Sequence, residues 1–257
     1  MRDPYLYPGT EVLKNLADIK SEAELNNMEA DYTCLRLSEL VMNDYAKIFD
    51  INELCRTHYI IFQDVYEWAG KFRIINIEKS EPALGGISIE YSDCLDIEAD
   101  LINLLDDINN FSWKDAELDT MVCKFSAYMA KLWQIHPFRE GNTRTVVTFC
   151  SRLIESKGIY IDSELFKDNA QYMRTALVAA SAIFSDLGDK RKSEYLERII
   201  LDALANGLKM KNEIQRELRL AEIECTEEAI SEIVFWNRKE HKFHTSIEIK
   251  VYFENIR

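Results

Sequence analysis

Helix breakers are scarce in this chain: 8 glycines and 4 prolines, 12 of 257 residues or about 5%, against roughly 12% in average usage. That scarcity constrains the fold more than any other feature. A β-sandwich or barrel needs a turn signal about every 8–12 residues, and this chain lacks the punctuation. Long helices are the expectation. Hydrophobic residues at 47%, with 11% aromatics, supply a core, while 30% charged residues exclude a chain embedded in lipid. Length sets a soft prior, here one domain over 1–205 and an appendage of uncertain structure over 206–257.

The charge is 31 − 45 = −14. From Asn206 to Arg257 there are 9 basic and 10 acidic residues, so the first 205 carry −13 and the acidity belongs to the main domain. Neutralising phosphates takes a basic stripe, so nucleic acid is not an expected partner. Cysteines at 34, 55, 94, 123, 150 and 225 form no C-x-x-C pair, and Met1-Arg2-Asp3-Pro4 opens no charged-then-apolar leader. Reduced thiols in a cytoplasm are expected. No apolar run approaches the 18 or so residues of a spanning helix, so no membrane role is expected.

Residues 1–20 read as an irregular arm with a short helix around Glu11–Ala17. Apolar positions recur at helical spacing from Ser21 to Tyr45, with Ser21 and Glu24 as a capping box, and from Ile51 to Trp68, stopped by Gly70. Then the pattern changes. Phe72–Ile77 and Ile87–Tyr91 read as two short strands joined by a loop holding Pro82, Gly85 and Gly86, a β-hairpin. Helices follow at about 96–108, 115–135, 144–157, 168–185 and 190–205. Beyond Gly207 come a polar helix to about Ile223, another around Thr226–Trp236 and a strand at 247–253.

Of four histidines, His58 lies mid-helix among core positions and reads as a satisfied structural residue. His241 and His244 are three apart, but no cluster of Cys or carboxylates completes a metal site, and they read as a solvated pair. His136 differs. It ends an apolar helix and opens His136-Pro137-Phe138-Arg139-Glu140-Gly141-Asn142-Thr143-Arg144. Pro137 stops the helix, and Gly141 allows a sharp or positive-φ turn and leaves room for a ligand near the backbone. The next helix begins with free N–H groups, which bind phosphate oxygens. Arg144 in its first turn runs against the dipole preference, which a bound anion would offset. Glu140 offers an oxygen to Mg²⁺, which takes one or two carboxylates together with substrate phosphates. His136 suits proton acceptance near neutral pH. These are the parts of a phosphoryl or nucleotidyl transferase. The same string also reads as an ordinary helix–helix turn, with Glu140 and Arg144 pairing at i,i+4 and His136 capping.

The string resembles the signature of the Fic (filamentation induced by cAMP) family, H-P-F-x-[D/E]-G-N-[G/K]-R, at seven of its eight fixed positions. Leu25…Glu29-Ala30-Asp31…Leu35-Arg36-Leu37 resembles the family's first helix, and Phe62–Arg73 the approach to its flap. The likeness runs from about Tyr5 to Ala205. It implies a mainly α fold, a Fic-like helical bundle with a short β-hairpin flap, and a protein adenylyltransferase that moves AMP from ATP onto a Ser, Thr or Tyr of a target protein. By resemblance, His136 is the catalytic base and Glu140 holds Mg²⁺. Arg139, Gly141, Asn142, Thr143 and Arg144 bind nucleotide, with Arg144 on the β-phosphate, and Phe138 anchors the loop. Gly85, Gly86 and Ile87 form the target-clamping flap. Further partners implied are a small antitoxin-like inhibitor and other copies of the chain in a homo-oligomer.

Two positions depart from the pattern. Thr143 stands where AMP-transferring members have Gly and a kinase-like branch has Lys. Val147 stands where many members have a second arginine, which contacts the γ-phosphate and pairs with an inhibitory glutamate. These departures leave open transfer of UMP, a phosphoryl group or phosphocholine, and a degenerate binding or regulatory module. Ser193…Glu197 and Ser151…Glu155 match the spacing of the inhibitory [S/T]-x-x-x-E-[G/N] but read as ordinary helix residues.

Overall fold

The apolar stripe Met121, Val122, Phe125, Met129, Leu132 and Trp133 repeats every three to four residues, so it faces one way only on a helix. In the computed structural model, which describes residues 3–41 and 48–256, that helix lies at the centre. The helices are α1 (Glu22–Val41), α2 (Ile51–Phe62), α3 (Ile97–Asn110), α4 (Leu118–Ile135), α5 (Asn142–Ser156), α6 (Ser163–Asp168), α7 (Ala170–Ala180), α8 (Glu194–Leu220), α9 (Glu227–Glu240) and α10 (Ser246–Ile256). α4 packs against α3, α5, α7 and α8. Trp133, Phe125 and Phe149 are fully buried at its contacts, each worth about 1.5–3 kcal/mol in apolar transfer. α1 and α2 close a second cluster with the N-terminal arm through Leu25, Leu40, Ile61 and Phe62.

Caps set several boundaries. Asp50 Oδ1 accepts from Glu53 N at 3.0 Å at the start of α2, and Thr226 Oγ1 accepts from Ala229 N at 3.1 Å at the start of α9. At the start of α1, Ser21 Oγ lies 3.5 Å from Glu24 N, a long version of the expected cap. The part of that first helix expected over 42–45 lies outside the described residues.

α8 runs unbroken for 27 residues through the 205/206 boundary. Its first half lies in the main core through Ile200, Ala203 and Leu204, and its second half, through Ile214 and Leu218, meets Ile230, Ile233 and Ile249 of α9 and α10. Gly207 makes the crossing possible, because a Cβ there would lie 2.0 Å from the Tyr160 carbonyl oxygen. Arg238 of α9 also pairs with the buried Glu155 of α5. The tail is thus packed against the main helices.

Several local expectations are corrected. Glu11–Ala17 forms no helix; Leu6 and Leu13 make an isolated antiparallel bridge instead. α2 ends at Phe62, and the buried Val65 and Tyr66 that extend its stripe lie beyond the helix. No ladder joins 72–77 to 87–91. The Arg73 N–H donates to the Pro137 carbonyl and the Glu90 N–H to the Ile183 carbonyl, so the backbone donors that a hairpin would use are taken elsewhere. A 3₁₀ turn at Pro82–Leu84 forms the tip, with Gly85 and Gly86 at positive φ. The two-stranded antiparallel sheet is β1 (Ile183–Phe184) with β2 (Gly188–Asp189); β1 lies at the end of the 168–185 span expected to be helical, and β2 in the gap before the next expected helix. Residues 247–253 are helical in α10, where Ile249 is buried while Ile247 and Val251 face solvent. His244 is buried, stacked on Trp236 at 3.5 Å between Asn237 and Glu240, and only His241 of the supposed solvated pair is exposed.

Candidate active site

α4 ends where His136 turns into the left-handed region at φ 51°, ψ 58°, before Pro137. A non-glycine residue is held there only by its surroundings, and here the holding group is Arg73. Its guanidinium is buried and donates to the carbonyls of His136 (2.8 Å), Ile135 (3.4 Å), Ile75 (2.8 Å) and Ser92. A cation on the last carbonyls of α4 also suits the helix dipole.

The rest of the loop is fixed from within. Asn142 is buried, its Oδ1 accepting from Phe138 N at 3.0 Å and its Nδ2 donating to Phe138 O at 2.8 Å. His58 bridges the loop to α2: Nδ1 accepts from Gly70 N at 2.8 Å, so Nε2 carries the proton and donates to Glu140 O at 3.0 Å. Its ring stacks on Phe138 at 3.8 Å and Phe62 at 4.7 Å. Burial pushes the His58 pKa down to about 3, so the imidazole is neutral. The structural reading of His58 holds, and its particular task is to carry the loop. Gly141 sits at φ +80°, where a Cβ would come within 2.2 Å of Phe62 Cζ. A neighbouring ring therefore sets the demand for glycine.

His136 Nδ1 lies 3.1 Å from the Trp133 carbonyl and must donate to it, which leaves the Nε2 lone pair free. Nε2 is buried and has no hydrogen-bond partner. The Tyr91 ring lies 4.3 Å from the imidazole; its hydroxyl donates to Glu81, which Arg174 of α7 also holds. Burial, and after it the nearby Lys79 ammonium, keeps the His136 pKa well below the ordinary histidine range, against the opposing pull of Glu140.

Glu140 accepts from Gly141 N at 3.1 Å through Oε1 and from Lys79 Nζ at 2.8 Å through Oε2. Against the burial that would raise it, Lys79 holds this carboxyl down at about 2, so it is ionised. No group of three or more metal-ligating side chains exists among the described residues. A lone ionised carboxylate fits an ion that draws its remaining ligands from substrate phosphates and water, the habit of Mg²⁺. Asn142, Thr143 and Arg144 open α5, with no side-chain cap on their N–H groups.

Glu140 and Arg144 do not pair with each other. The Arg144 guanidinium donates to Thr33 Oγ1 at 3.0 Å and to Glu29 of α1, and lies 4.8 Å over the Phe62 ring. The offset for a cation at a helix N-terminus thus comes from Glu29, whose other oxygen accepts from the Tyr66 hydroxyl. Thr143 Oγ1 accepts from Trp133 Nε1 at 2.9 Å. The Arg139 guanidinium is engaged by Asp3 of the arm at 2.8 Å, so an anion would have to compete for it. Gly85, Gly86 and Ile87 lie at the exposed loop tip, and Ile87 lines a groove of about 690 Å³ that extends past Tyr91 to Phe184–Leu187. On the other side, Thr143, Arg144 and Val147 line an apolar cavity of about 260 Å³.

Sequence reasoning gave no role to Arg73, Lys79 or Glu29. The signals available were single charges beside core positions, which become informative only once the chain folds and brings them to the loop.

Residues 48–154 match the family model described as the Fic/DOC family. The protein adenylyltransferase VbhT of Bartonella schoenbuchensis is 34% identical over 166 residues, 62% of this chain and 32% of that protein. The probable protein adenylyltransferase y4lH of Sinorhizobium fredii is 32% identical over 162 residues, 63% of this chain and 80% of that protein. The chain therefore spans about a third of the length of one relative and most of the other. Two solved structures share the fold. The N-terminal FIC domain of Bep8 from Bartonella sp. 1-1C has TM-score 0.63 at 20% identity, covering 77% of this chain and 93% of that one. BepC from Bartonella tribocorum, with bound AMPPNP, has TM-score 0.62 at 21% identity, covering 77% and 95%.

Proposed function

The chain belongs to the Fic/DOC family, and on that premise we propose that it is a protein adenylyltransferase, moving AMP from ATP onto a Ser, Thr or Tyr hydroxyl of a target protein. The observation that carries this reading is the His136 imidazole, whose Nδ1–H is committed to Trp133 and whose Nε2 lone pair is unpartnered. Two of the similar proteins are named as adenylyltransferases, and one solved neighbour holds a nucleotide.

In the proposed reaction the target oxygen attacks the α-phosphorus, its proton passes to His136 Nε2, and the bond to the bridging oxygen breaks to release pyrophosphate. The uncapped N–H groups at the start of α5 receive the charge that develops on the α-phosphate. Arg144, aligned by Glu29 and Thr33, faces the leaving group. Mg²⁺, when bound at Glu140, would neutralise the phosphates of the leaving group. Because His136 is held so far toward neutrality, the arrival of anionic phosphates moves its pKa back toward the working range of a base. The flap carrying Tyr91 must move for a hydroxyl to reach Nε2, since that nitrogen is covered. The six cysteines are free thiols and ATP is an intracellular substrate, so we assign the activity to the cytoplasm.

The test is incubation of the purified chain with Mg²⁺ and cell lysate, in parallel with α-³²P-ATP and γ-³²P-ATP. Label on protein from the α form alone supports the proposal. Label from the γ form alone makes it a kinase, and no label from either leaves a nucleotide-binding or regulatory module.

A further inference from the structure

We propose that Lys79 is a phosphate-binding residue of the nucleotide site, parked on Glu140 until nucleotide arrives; the inference rests on the reading above. Lys79 lies on the extended segment between Arg73 and the Pro82–Leu84 turn, its backbone N–H held by Ser88 Oγ at 3.1 Å. Its ammonium is largely buried and lies 2.8 Å from Glu140 Oε2. With Gly141 N on Oε1, both oxygens of the carboxylate are in use.

A divalent ion that takes a Glu140 oxygen would sit next to this ammonium, in a half-buried site where like charges repel strongly. The ion and the ammonium cannot share the carboxylate alone. The group that arrives with the ion and carries the compensating charge is the polyphosphate, and Lys79 is the cation placed to take it. The other cations of the loop and flap are committed elsewhere. Arg73 is spread over backbone carbonyls, Arg139 is on Asp3 and Arg174 on Glu81, while Arg144, aligned by Glu29, is the one guanidinium already assigned to the leaving group. None of those partners is one that the incoming ion would claim. Lys79 alone among these has as its partner the carboxylate read as the metal ligand. The first two turns of α5 supply only one cation, Arg144. A fully ionised triphosphate carries more negative charge than one divalent ion and one guanidinium neutralise, and Lys79 makes up the difference.

The experiment measures the Kd of Mg·AMPPNP by calorimetry for wild type, Lys79→Gln and Lys79→Arg, with melting temperatures of the nucleotide-free proteins. Losing a charge-assisted hydrogen bond should raise the Kd of the Gln variant about tenfold, while the Arg variant stays within about threefold of wild type. An unchanged Kd in Lys79→Gln overturns the inference, and a lower one overturns it too, leaving Lys79 as a plug of the metal site. If the Gln variant does not fold, the Arg variant decides: retention of affinity supports the charge account, and a tenfold loss overturns it. Wild type that does not bind Mg·AMPPNP at all overturns the adenylyltransferase reading itself, a result distinct from normal wild-type binding with no effect of Lys79→Gln.

Discussion

Gly141→Ala should damage the fold and the site together, by an amount that can be separated into two parts. The residue sits at φ +80°, and its added Cβ would lie 2.2 Å from Phe62 Cζ and 2.3 Å from Cε2. Left-handed backbone costs an L-residue about 1–2 kcal/mol. The overlap requires a shift of more than an ångström by a fully buried ring, and overpacking of that kind costs about 1–3 kcal/mol. The sum is about 2–5 kcal/mol. Phe62→Leu removes the ring atoms that the methyl would strike and leaves φ unchanged. A double-mutant cycle of Gly141→Ala and Phe62→Leu, read by urea unfolding, should therefore show coupling of about 1–3 kcal/mol, with the backbone part persisting in the double variant. The ring also lies under Arg144, so the Ala variant should bind Mg·ATP more weakly even at temperatures where it is fully folded. A cycle that closes to within about 0.5 kcal/mol would refute the idea that Phe62 dictates glycine here.

Two further predictions follow from groups that the fold holds in one protonation state or one ion pair. His58 and His136 both have folded pKa values below the ordinary 6.5, because burial disfavours their charged forms. The unfolded chain binds those protons first, so stability is full above pH 6.5 and falls as pH drops below it, by up to about 1.4 kcal/mol per pH unit for each histidine. Urea unfolding from pH 7 to pH 4 should show this decline and its reduction in His58→Gln; a flat profile contradicts the assignment of neutral imidazoles. Arg238→Ala removes the guanidinium from the buried Glu155 carboxylate and should cost about 3 kcal/mol, as breaking a buried ion pair does. An unchanged urea midpoint would contradict a stabilising role for the Arg238–Glu155 pair.

The helical class was legible from the scarcity of breakers, and α3 to α5 appear close to where periodicity put them, because each carries a strong one-sided stripe, while α2 starts where expected and stops six residues early. The errors lie where local pattern and tertiary contact disagree. Ile247-Glu248-Ile249-Lys250-Val251 alternates like a strand, yet the chain buries Ile249 with Phe253 partly covered behind it, a spacing of four, and helix results. Phe72–Ile77 is β-branched and hairpin-like, but Arg73 is drawn to the end of α4, and its bonds leave no ladder for Ile87–Tyr91 to join. In the loop, His136, Glu140, Gly141, Asn142 and Arg144 could be read as a unit because they are contiguous. Their supports could not: Lys79, Glu29, Arg73 and His58 come from three other parts of the chain, and nothing local marks which carboxylate or carbonyl each will meet. The sequence marks Gly141 as a position needing glycine, but that the Phe62 ring is a neighbour enforcing it shows only in the fold.

The central claim is that His136 Nε2 accepts the proton of the attacking hydroxyl while the rest of the loop binds nucleotide. The most direct test compares wild type with His136→Ala for transfer of label from α-³²P-ATP and, on the same preparations, for the Kd of Mg·ATP. Loss of a positioned base should lower the transfer rate by about 10²–10⁴, with nucleotide affinity close to wild type. Transfer at the wild-type rate in the Ala variant would contradict the account, as would loss of transfer that merely follows loss of binding.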